Sequence, residues 1–159
     1  MIKVQQSFDE AATWETEVSV VAGSRPNLVH TAEGLLLLSY EDSGTCRIKQ
    51  SEDSGATWGS AFGAQTGENP FMWLDPKHNI LHRCYYDSAG PSIKHQASLD
   101  LGSTWATATT VAVVAEELYP EGCCFSDGRP LVLWRESDGD WVQYVNEQLS
   151  GGGTWTLIS

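Results

Sequence analysis

One eight-residue pattern recurs along the chain and constrains its fold more than any other feature. Ser51–Trp58 reads SEDSGATW and Ser98–Trp105 reads SLDLGSTW, so the two agree at every defined position of S-x-D-x-G-x-T-W. A weaker copy, Ser7–Trp14, has Ala11 where Gly is expected, and a last copy that ends at Trp155 has lost the first Ser and the Asp. Each segment is termed a repeat turn below. Its four tryptophans lie 44, 47 and 50 residues apart, which indicates an array of similar structural units.

The residue types of the repeat turn suit a tight turn with an apolar anchor. Ser and Asp side chains accept hydrogen bonds from nearby backbone N–H groups, and Gly permits a positive φ. The Trp is expected to fold back over the sheet and bury a large apolar area, which accounts for seven Trp in 159 residues. We therefore predict a structural role for these turn residues: Ser7, Asp9, Trp14, Ser51, Asp53, Gly55, Trp58, Ser98, Asp100, Gly102, Trp105, Gly152 and Trp155.

A second landmark divides the chain into units. Each full unit opens with an X-Pro pair, namely Arg25-Pro26, Asn69-Pro70 and Tyr119-Pro120, and has an apolar run before an acidic turn near its middle. This pattern predicts four short strands per unit. In the first full unit these are Asn27–Thr31, Leu35–Tyr40, Thr45–Ser51 and a strand after Trp58. No helical pattern is visible, and the β-branched residues of 109–117 favour a strand there.

The predicted fold class is all-β, a partial β-propeller of about three and a half four-stranded antiparallel blades. The single domain, 1–159, would consist of a half blade at 1–23 and full blades at 24–67, 68–116 and 117–159. Closed propellers have roughly four to eight blades. A shorter arc leaves apolar faces of its end blades uncovered, and such faces mark interfaces. We therefore expect oligomerisation to close the ring, with a second copy as the simplest partner.

Charge and composition exclude several partners and predict a compartment. The net charge of −12 and only nine Lys and Arg residues argue against nucleic acid and anionic membranes. The chain shows no signal peptide and no membrane span, so we expect synthesis in the cytoplasm. Cys46, Cys84, Cys123 and Cys124 form no C-x-x-C pair, and the adjacent two should point to opposite faces of a strand. They are predicted to be buried free thiols.

The repeat turns, with the phrases Arg25–Val29 and Leu38–Glu41, resemble the bacterial neuraminidase repeat of the Asp-box superfamily, which includes sialidases. The resemblance covers essentially the whole chain and implies a propeller with its boxes on the face opposite an active site. Asp boxes occur in sialidases, other glycosidases, sorting receptors and phage structural proteins. The resemblance therefore implies the fold more specifically than the function.

Sialidases share an arginine triad, a Tyr–Glu nucleophile pair and an Asp acid/base, and this chain matches that set poorly. Arg25 fits the family's Arg-x-Pro strand only loosely, because the intervening residue is missing. Arg83, Arg47 and Arg129 are predicted to lie on a second strand, a third strand and a turn, so no second or third triad member is assigned. The chain is also about half the length of a six-bladed catalytic domain. We therefore predict no catalytic residue and no enzyme.

A ligand site is expected on the face opposite the repeat turns, where the loops before the first strand and between the second and third strands gather. Aromatic and carboxylate side chains on repeated loops suit carbohydrate. The alternative is that they are ordinary polar turns. No cofactor is expected, and a Ca²⁺ site at 136–140 is a weaker alternative because EF-hand spacing is missing. The ligand-binding candidates are Arg25, Glu41, Asp42, Asn69, Tyr86, Asp87, Tyr119, Arg135, Glu136 and Asp138.

These inferences predict a non-catalytic binding or structural subunit of a larger assembly. By analogy with the family, that assembly would be a phage virion whose tail or head-fibre component recognises a host-surface glycan or a partner protein. Its partners would be further copies of the chain or other virion proteins. One alternative is a sialidase-like glycoside hydrolase assembled by dimerisation, and another is a cytoplasmic protein-interaction scaffold. The sequence leaves the ligand and the number of copies open.

Overall fold

The computed structural model describes residues 1–116, 118–135, 140–146 and 153–158. Within these ranges every regular element is a β-strand and no helix occurs, which confirms the all-β prediction. None of the described residues belongs to a helix long and apolar enough to cross a membrane.

The described residues form fourteen strands. They are β1 Ile2–Val4, β2 Val18–Val21, β3 Ser24–His30, β4 Leu36–Asp42, β5 Thr45–Ser51, β6 Phe62–Thr66, β7 Glu68–Asp75, β8 Ile80–Asp87, β9 Ser92–Ser98, β10 Thr109–Val113, β11 Glu121–Cys124, β12 Pro130–Arg135, β13 Trp141–Asn146 and β14 Trp155–Leu157.

Hydrogen bonding groups these strands into four antiparallel sheets in chain order. Sheet I contains β1 and β2, sheet II β3 to β6, sheet III β7 to β10, and sheet IV β11 to β14. In every sheet, consecutive strands are neighbours, so each four-stranded sheet is a simple meander. The predicted strand in 109–117 is present as β10.

The first strand of sheet II begins at Ser24, earlier than the predicted Asn27, and the first strands of sheets II and III include their X-Pro pairs. The register shifts between Ser24 and Asn27 in β3, and between Glu68 and Phe71 in β7. Arg25 and Asn69 have φ values of 54° and 51° at these shifts. Proline cannot donate to a strand ladder, so an irregularity of this kind accommodates it.

The hydrophobic core lies between successive sheets rather than at one centre. Adjacent residues of β4 show the reason, because Leu38 packs between sheets I and II while Leu37 packs between sheets II and III. Both side chains are at most 2% exposed. An apolar run without alternation is expected of a strand covered on both faces. A third cluster, which includes Trp73 and Trp134, packs between sheets III and IV.

The tryptophan of each repeat turn packs between its own sheet and the preceding one. Trp58 joins the cluster between sheets I and II, Trp105 the cluster between II and III, and Trp155 the cluster between III and IV. Trp14 differs, because its side chain is 59% exposed. The expected burial of Trp14 is wrong for a physical reason, since no described sheet precedes sheet I.

All four cysteines are free thiols. Cys46 and Cys84 are buried and Cys124 is half-buried, with its Sγ accepting from Trp73 Nε1 at 3.2 Å. Cys123 is exposed, so the prediction of burial is wrong for this residue. Its neighbour points toward sheet III, and alternation along β11 turns Cys123 to the outward side of sheet IV.

Candidate functional site

The three X-Pro pairs, one for each four-stranded sheet, meet at a single cavity of about 250 Å³. Three ligand-binding candidates from the sequence, Arg25, Asn69 and Tyr119, are therefore brought together although they lie far apart in the chain. The cavity is lined by Arg25, Pro26, Asn27, Asn69, Pro70, Phe71, Tyr119, Pro120 and Glu121.

Arg25 and Tyr119 form the polar rim of this cavity. The Arg25 guanidinium donates a hydrogen bond to the Tyr119 hydroxyl at 2.8 Å, and its carbon lies 4.4 Å from the centre of the Tyr119 ring. Arg25 is exposed and Tyr119 is 52% exposed. The pair therefore presents guanidinium N–H donors and an aromatic surface to a ligand entering from solvent.

Asn69 is buried and connects the three sheets behind the rim. Its backbone N–H donates to Glu41 Oε2 at 3.0 Å, and its Nδ2 donates to the carbonyl of Leu118 at 3.1 Å. Glu41 lies on sheet II, whereas Leu118 immediately precedes Tyr119. These hydrogen bonds make Asn69 and Glu41 positioning residues for the segment that carries Tyr119.

The sequence reasoning missed the residue after each proline. Asn27, Phe71 and Glu121 occupy this position in the three units, and all three line the cavity. Asn27 Oδ1 also accepts from the Met72 backbone N–H at 2.8 Å, which ties sheet II to sheet III. The signal was available, because an X-Pro pair repeated at matched positions makes the following residue equivalent as well.

Other candidates from the sequence lie away from the cavity lining. Asp42 accepts from its neighbour Ser43 and pairs with Arg47 at 3.3 Å, while Asp87 accepts from the Ala89 N–H at 3.1 Å. Both aspartates therefore stabilise their own turns, as the polar-turn alternative expects.

Tyr86 is 6% exposed and belongs to the core cluster between sheets III and IV. Strand β8 extends to Asp87, so Tyr86 lies on a sheet face and not in a loop. Arg135 is the exposed last residue of β12. Glu136 and Asp138 lie outside the described residues.

The Ser and Asp side chains of the repeat turns accept hydrogen bonds within the turns. Ser51 Oγ accepts from the Gly55 N–H at 2.7 Å, and Asp53 accepts from both the N–H and the hydroxyl of Thr57. The Thr57 hydroxyl is the main reason that the pKa of Asp53 falls to about 2. Equivalent bonds occur in the turns of Ser7 and Ser98. These carboxylates therefore stay ionised and serve the turn.

The last repeat turn begins earlier than its sequence suggests. Sequence alignment places its first position at Gln148, but Asn146 performs the role of the missing Ser. Asn146 is fully buried, accepts from the Gly153 N–H at 3.2 Å and donates to the Gly153 carbonyl at 2.8 Å. It pairs with Trp155 in β13 and β14. Gly152, also predicted for this turn, lies outside the described residues.

A buried histidine pair lies between sheets III and IV. His82 Nδ1 and His95 Nε2 are 3.0 Å apart, and the Trp73 ring stacks on His82 with centroids 5.2 Å apart. Burial lowers the pKa of His82 to about 4 and also lowers the pKa of His95. Both rings are therefore neutral at pH 7. Among the described residues, no group of three or more His, Cys, Asp or Glu comes together as metal ligands would.

Neither a family model nor a curated protein matches this sequence, whereas several solved structures share its fold. A Hadza microbial sialidase, Hz136, matches with a TM-score of 0.61 and 16% identity over 88% of this chain and 38% of that chain. A protein of unknown function from Dyadobacter fermentans matches with a TM-score of 0.67 and 12% identity, over 99% of this chain and 52% of that one.

A mutant of NanB sialidase from Streptococcus pneumoniae matches with a TM-score of 0.62 and 16% identity, over 91% of this chain and 26% of that one. The chain therefore spans from about a quarter to about half of the length of these three chains. At such identities the likeness establishes a sialidase-like β fold alone.

Proposed function

We propose that this chain is a non-catalytic carbohydrate-binding protein in which sheets II, III and IV are blades of a partial β-propeller. The observation that carries the proposal is the meeting of three X-Pro pairs at one cavity. In a propeller the first strand of every blade lines the central axis, so equivalent residues of successive blades converge there. The fold shared with sialidase domains supports this arrangement.

The side chains of the cavity suit a sugar. A pyranose has hydroxyl groups that donate and accept hydrogen bonds, and an apolar face of C–H groups. Arg25 supplies donors, Glu121 supplies acceptors, and the Tyr119 and Phe71 rings supply apolar contact area. The volume of about 250 Å³ lies just below the roughly 300–1,000 Å³ of drug-sized pockets. It fits a single sugar residue better than an oligosaccharide.

The number of carboxylate side chains in the cavity lining favours binding over hydrolysis. Among the described residues that line it, Glu121 is the one carboxylate. Glycosidases of the usual kinds need two carboxyl groups, about 5 Å apart in retaining enzymes or roughly 6.5–9.5 Å apart in inverting ones. Glu41 contacts the lining residue Asn69 and accepts a hydrogen bond from its backbone N–H. A two-carboxylate hydrolysis would therefore require a second acid from outside the described lining.

We further propose that the arc belongs to a larger assembly that presents the cavity to a glycan. The exposure of Trp14 beside sheet I and of Trp141 in sheet IV supports assembly. The virion assignment rests on the family resemblance and stays a prediction, as does a role as a protein-interaction scaffold.

A glycan microarray probed with the purified full chain tests the function, followed by calorimetric titration of the strongest hit. We expect saturable binding to a defined terminal sugar, without release of that sugar during overnight incubation. Turnover of a fluorogenic glycoside panel would replace the proposal with the hydrolase alternative. Failure to bind any glycan on the array, by folded protein, would contradict it.

A further inference from the structure

The contacts between successive sheets repeat the same components. One sheet contributes a face built from its second and third strands, and the next sheet contributes the tryptophan of its repeat turn. Leu37 and Ile48 of sheet II pack in one cluster with Trp105 of sheet III. Ile93 of sheet III packs in one cluster with Trp155 of sheet IV. This arrangement is termed the joint.

Sheet IV exposes the face that forms the first half of a joint. In the strand register, Leu131 occupies the position of Leu37 in sheet II and of His82 in sheet III. Leu133 likewise occupies the position of Ser39 in sheet II and of Cys84 in sheet III. Those four equivalents are at most 3% exposed, whereas Leu131 and Leu133 are only partly buried.

The third strand shows the same contrast more strongly. Trp141 is equivalent to Cys46 and Ile93, which are 2% and 0% exposed, yet Trp141 is 59% exposed. Leu131, Leu133 and Trp141 are termed the outward face of sheet IV. On the opposite side of that sheet, Val132 and Trp134 are at most 1% exposed against sheet III.

Sheet I exposes the second half of a joint. The Trp14 side chain is 59% exposed, although its repeat turn makes the same Ser and Asp hydrogen bonds as the turns of Trp58 and Trp105. The turn is therefore formed, but no sheet of the described residues packs against its tryptophan. Each chain thus carries both complementary halves of one joint at opposite ends of the array.

We propose that a second copy of this chain docks head to tail, with its Trp14 packed on the outward face of sheet IV. A copy is the occupant because its Trp14 turn is equivalent to the turns of Trp105 and Trp155. Those two turns cover the equivalent faces of sheets II and III within the chain. The contact is heterologous, since the two surfaces differ, and it closes a ring only where the rotation between copies permits. This inference rests on the propeller arc proposed above.

Charge sets the conditions under which the joint forms. Each copy has a net charge of −12, so two copies repel one another at low ionic strength. Salt screens that repulsion with a Debye length of about 8 Å at 0.15 M. We therefore expect association to strengthen as salt is raised, the opposite of an interface held together by ion pairs.

Sedimentation velocity of the full chain tests the proposal over a wide concentration range. The unmodified chain should associate, while Trp14→Glu and Leu133→Glu should each weaken association at least tenfold. An equimolar mixture of the two variants should restore a dimer, because the intact face of one chain meets the intact Trp14 of the other. Leu99→Glu is the matched control, since Leu99 is 77% exposed in the repeat turn of sheet III. It should associate like the unmodified chain.

Either of two outcomes would overturn the inference: a chain that stays monomeric at high salt and high concentration, or a variant mixture that forms no dimer. Trp141→Lys replaces Leu133→Glu if the latter fails to fold, because Trp141 is already exposed. Glycan binding measured on the same samples keeps the two proposals separate. A monomer that binds glycan contradicts the joint alone, and an assembly that binds none contradicts the ligand alone.

Discussion

The Arg25 guanidinium donates a 2.8 Å hydrogen bond to the hydroxyl of Tyr119, a residue 94 positions further along the chain. Arg25 belongs to sheet II and Tyr119 leads into sheet IV, although sheet III follows sheet II in the array. The two side chains can meet only because the first strands of all three sheets converge. Asn69 of sheet III lines the same cavity and donates to the carbonyl of Leu118.

This contact predicts which substitutions weaken carbohydrate binding. Arg25→Ala should reduce affinity at least tenfold, about 1.4 kcal/mol, because it removes the guanidinium donors of the cavity. Tyr119→Phe should cost less, since the aromatic ring remains. Isothermal titration with the strongest array hit measures both. Arg129→Ala is the matched control, because the Arg129 side chain is 40% exposed and paired with its own Asp127. An equal loss of affinity in that control would contradict the assignment.

The repeat-turn tryptophans should differ in their contribution to stability. Trp105 packs between sheets II and III with the Arg83 guanidinium carbon 4.0 Å from its ring centre, so Trp105→Ala should cost about 2–4 kcal/mol. Trp14→Ala should cost less than about 0.5 kcal/mol in the monomer, because the side chain is 59% exposed. Urea unfolding at low protein concentration measures both. Equal destabilisation would show that Trp14 is buried in the monomer.

Close packing between sheets III and IV predicts an effect at Gly122. A Cβ placed on Gly122 would lie 2.2 Å from the Trp73 ring, whereas a Cβ on Gly90 would meet nothing within 4 Å. Gly122→Ala should therefore destabilise the fold by about 1–3 kcal/mol, the usual cost of overpacking. Gly90→Ala should stay within about 0.5 kcal/mol. Thermal unfolding of the two variants compares them, and a tolerated Gly122→Ala would contradict the sheet III–IV packing.

The buried histidine pair predicts a loss of stability in acid. Burial lowers the pKa of His82 to about 4, below its unfolded value near 6.5, so the unfolded chain binds more protons between these values. Stability should fall as pH decreases from about 6.5 toward 4, by up to about 1.4 kcal/mol per pH unit for this residue. His95, whose pKa is also lowered, adds to the slope.

Urea unfolding at pH 7, 6 and 5 measures that slope. His82→Phe should flatten it, because the phenyl ring can stack on Trp73 but cannot take up a proton. His30→Gln is the matched control for the loss of an imidazole, at an exposed position of β3. An unaltered slope in His82→Phe would show that the acid sensitivity has another source.

Much of the fold could be predicted because its signals are local. The hydrogen bonds from Gly55 to Ser51 and from Thr57 to Asp53 each span four residues, so the turn chemistry is readable in eight letters. The apolar runs before the acidic turns likewise predicted the second strand of each unit. Parts of the candidate site were also visible, since Arg25, Asn69 and Tyr119 occupy matched places beside proline.

The burial and the contacts of individual side chains were harder to predict. Tyr86 is predicted to lie in a loop, but β8 extends to Asp87 and places Tyr86 on a face covered by sheet IV. Asn146 was not recognised in the last repeat turn, because its partner Gly153 lies seven residues away. The sequence also contains no sign that Trp14 and Trp105, which end similar repeat turns, differ in burial.

By itself, then, the amino-acid order determined where the chain turns, how many strands each unit has and which residue types repeat, since short-range hydrogen bonds and backbone preferences act within a few positions. Only the tertiary structure decided which of those residues share a cavity and which faces lack a neighbour. Convergence at the X-Pro cavity and exposure of Trp14 and Trp141 depend on the packing of whole sheets against one another, and that packing brings together groups dozens of residues apart.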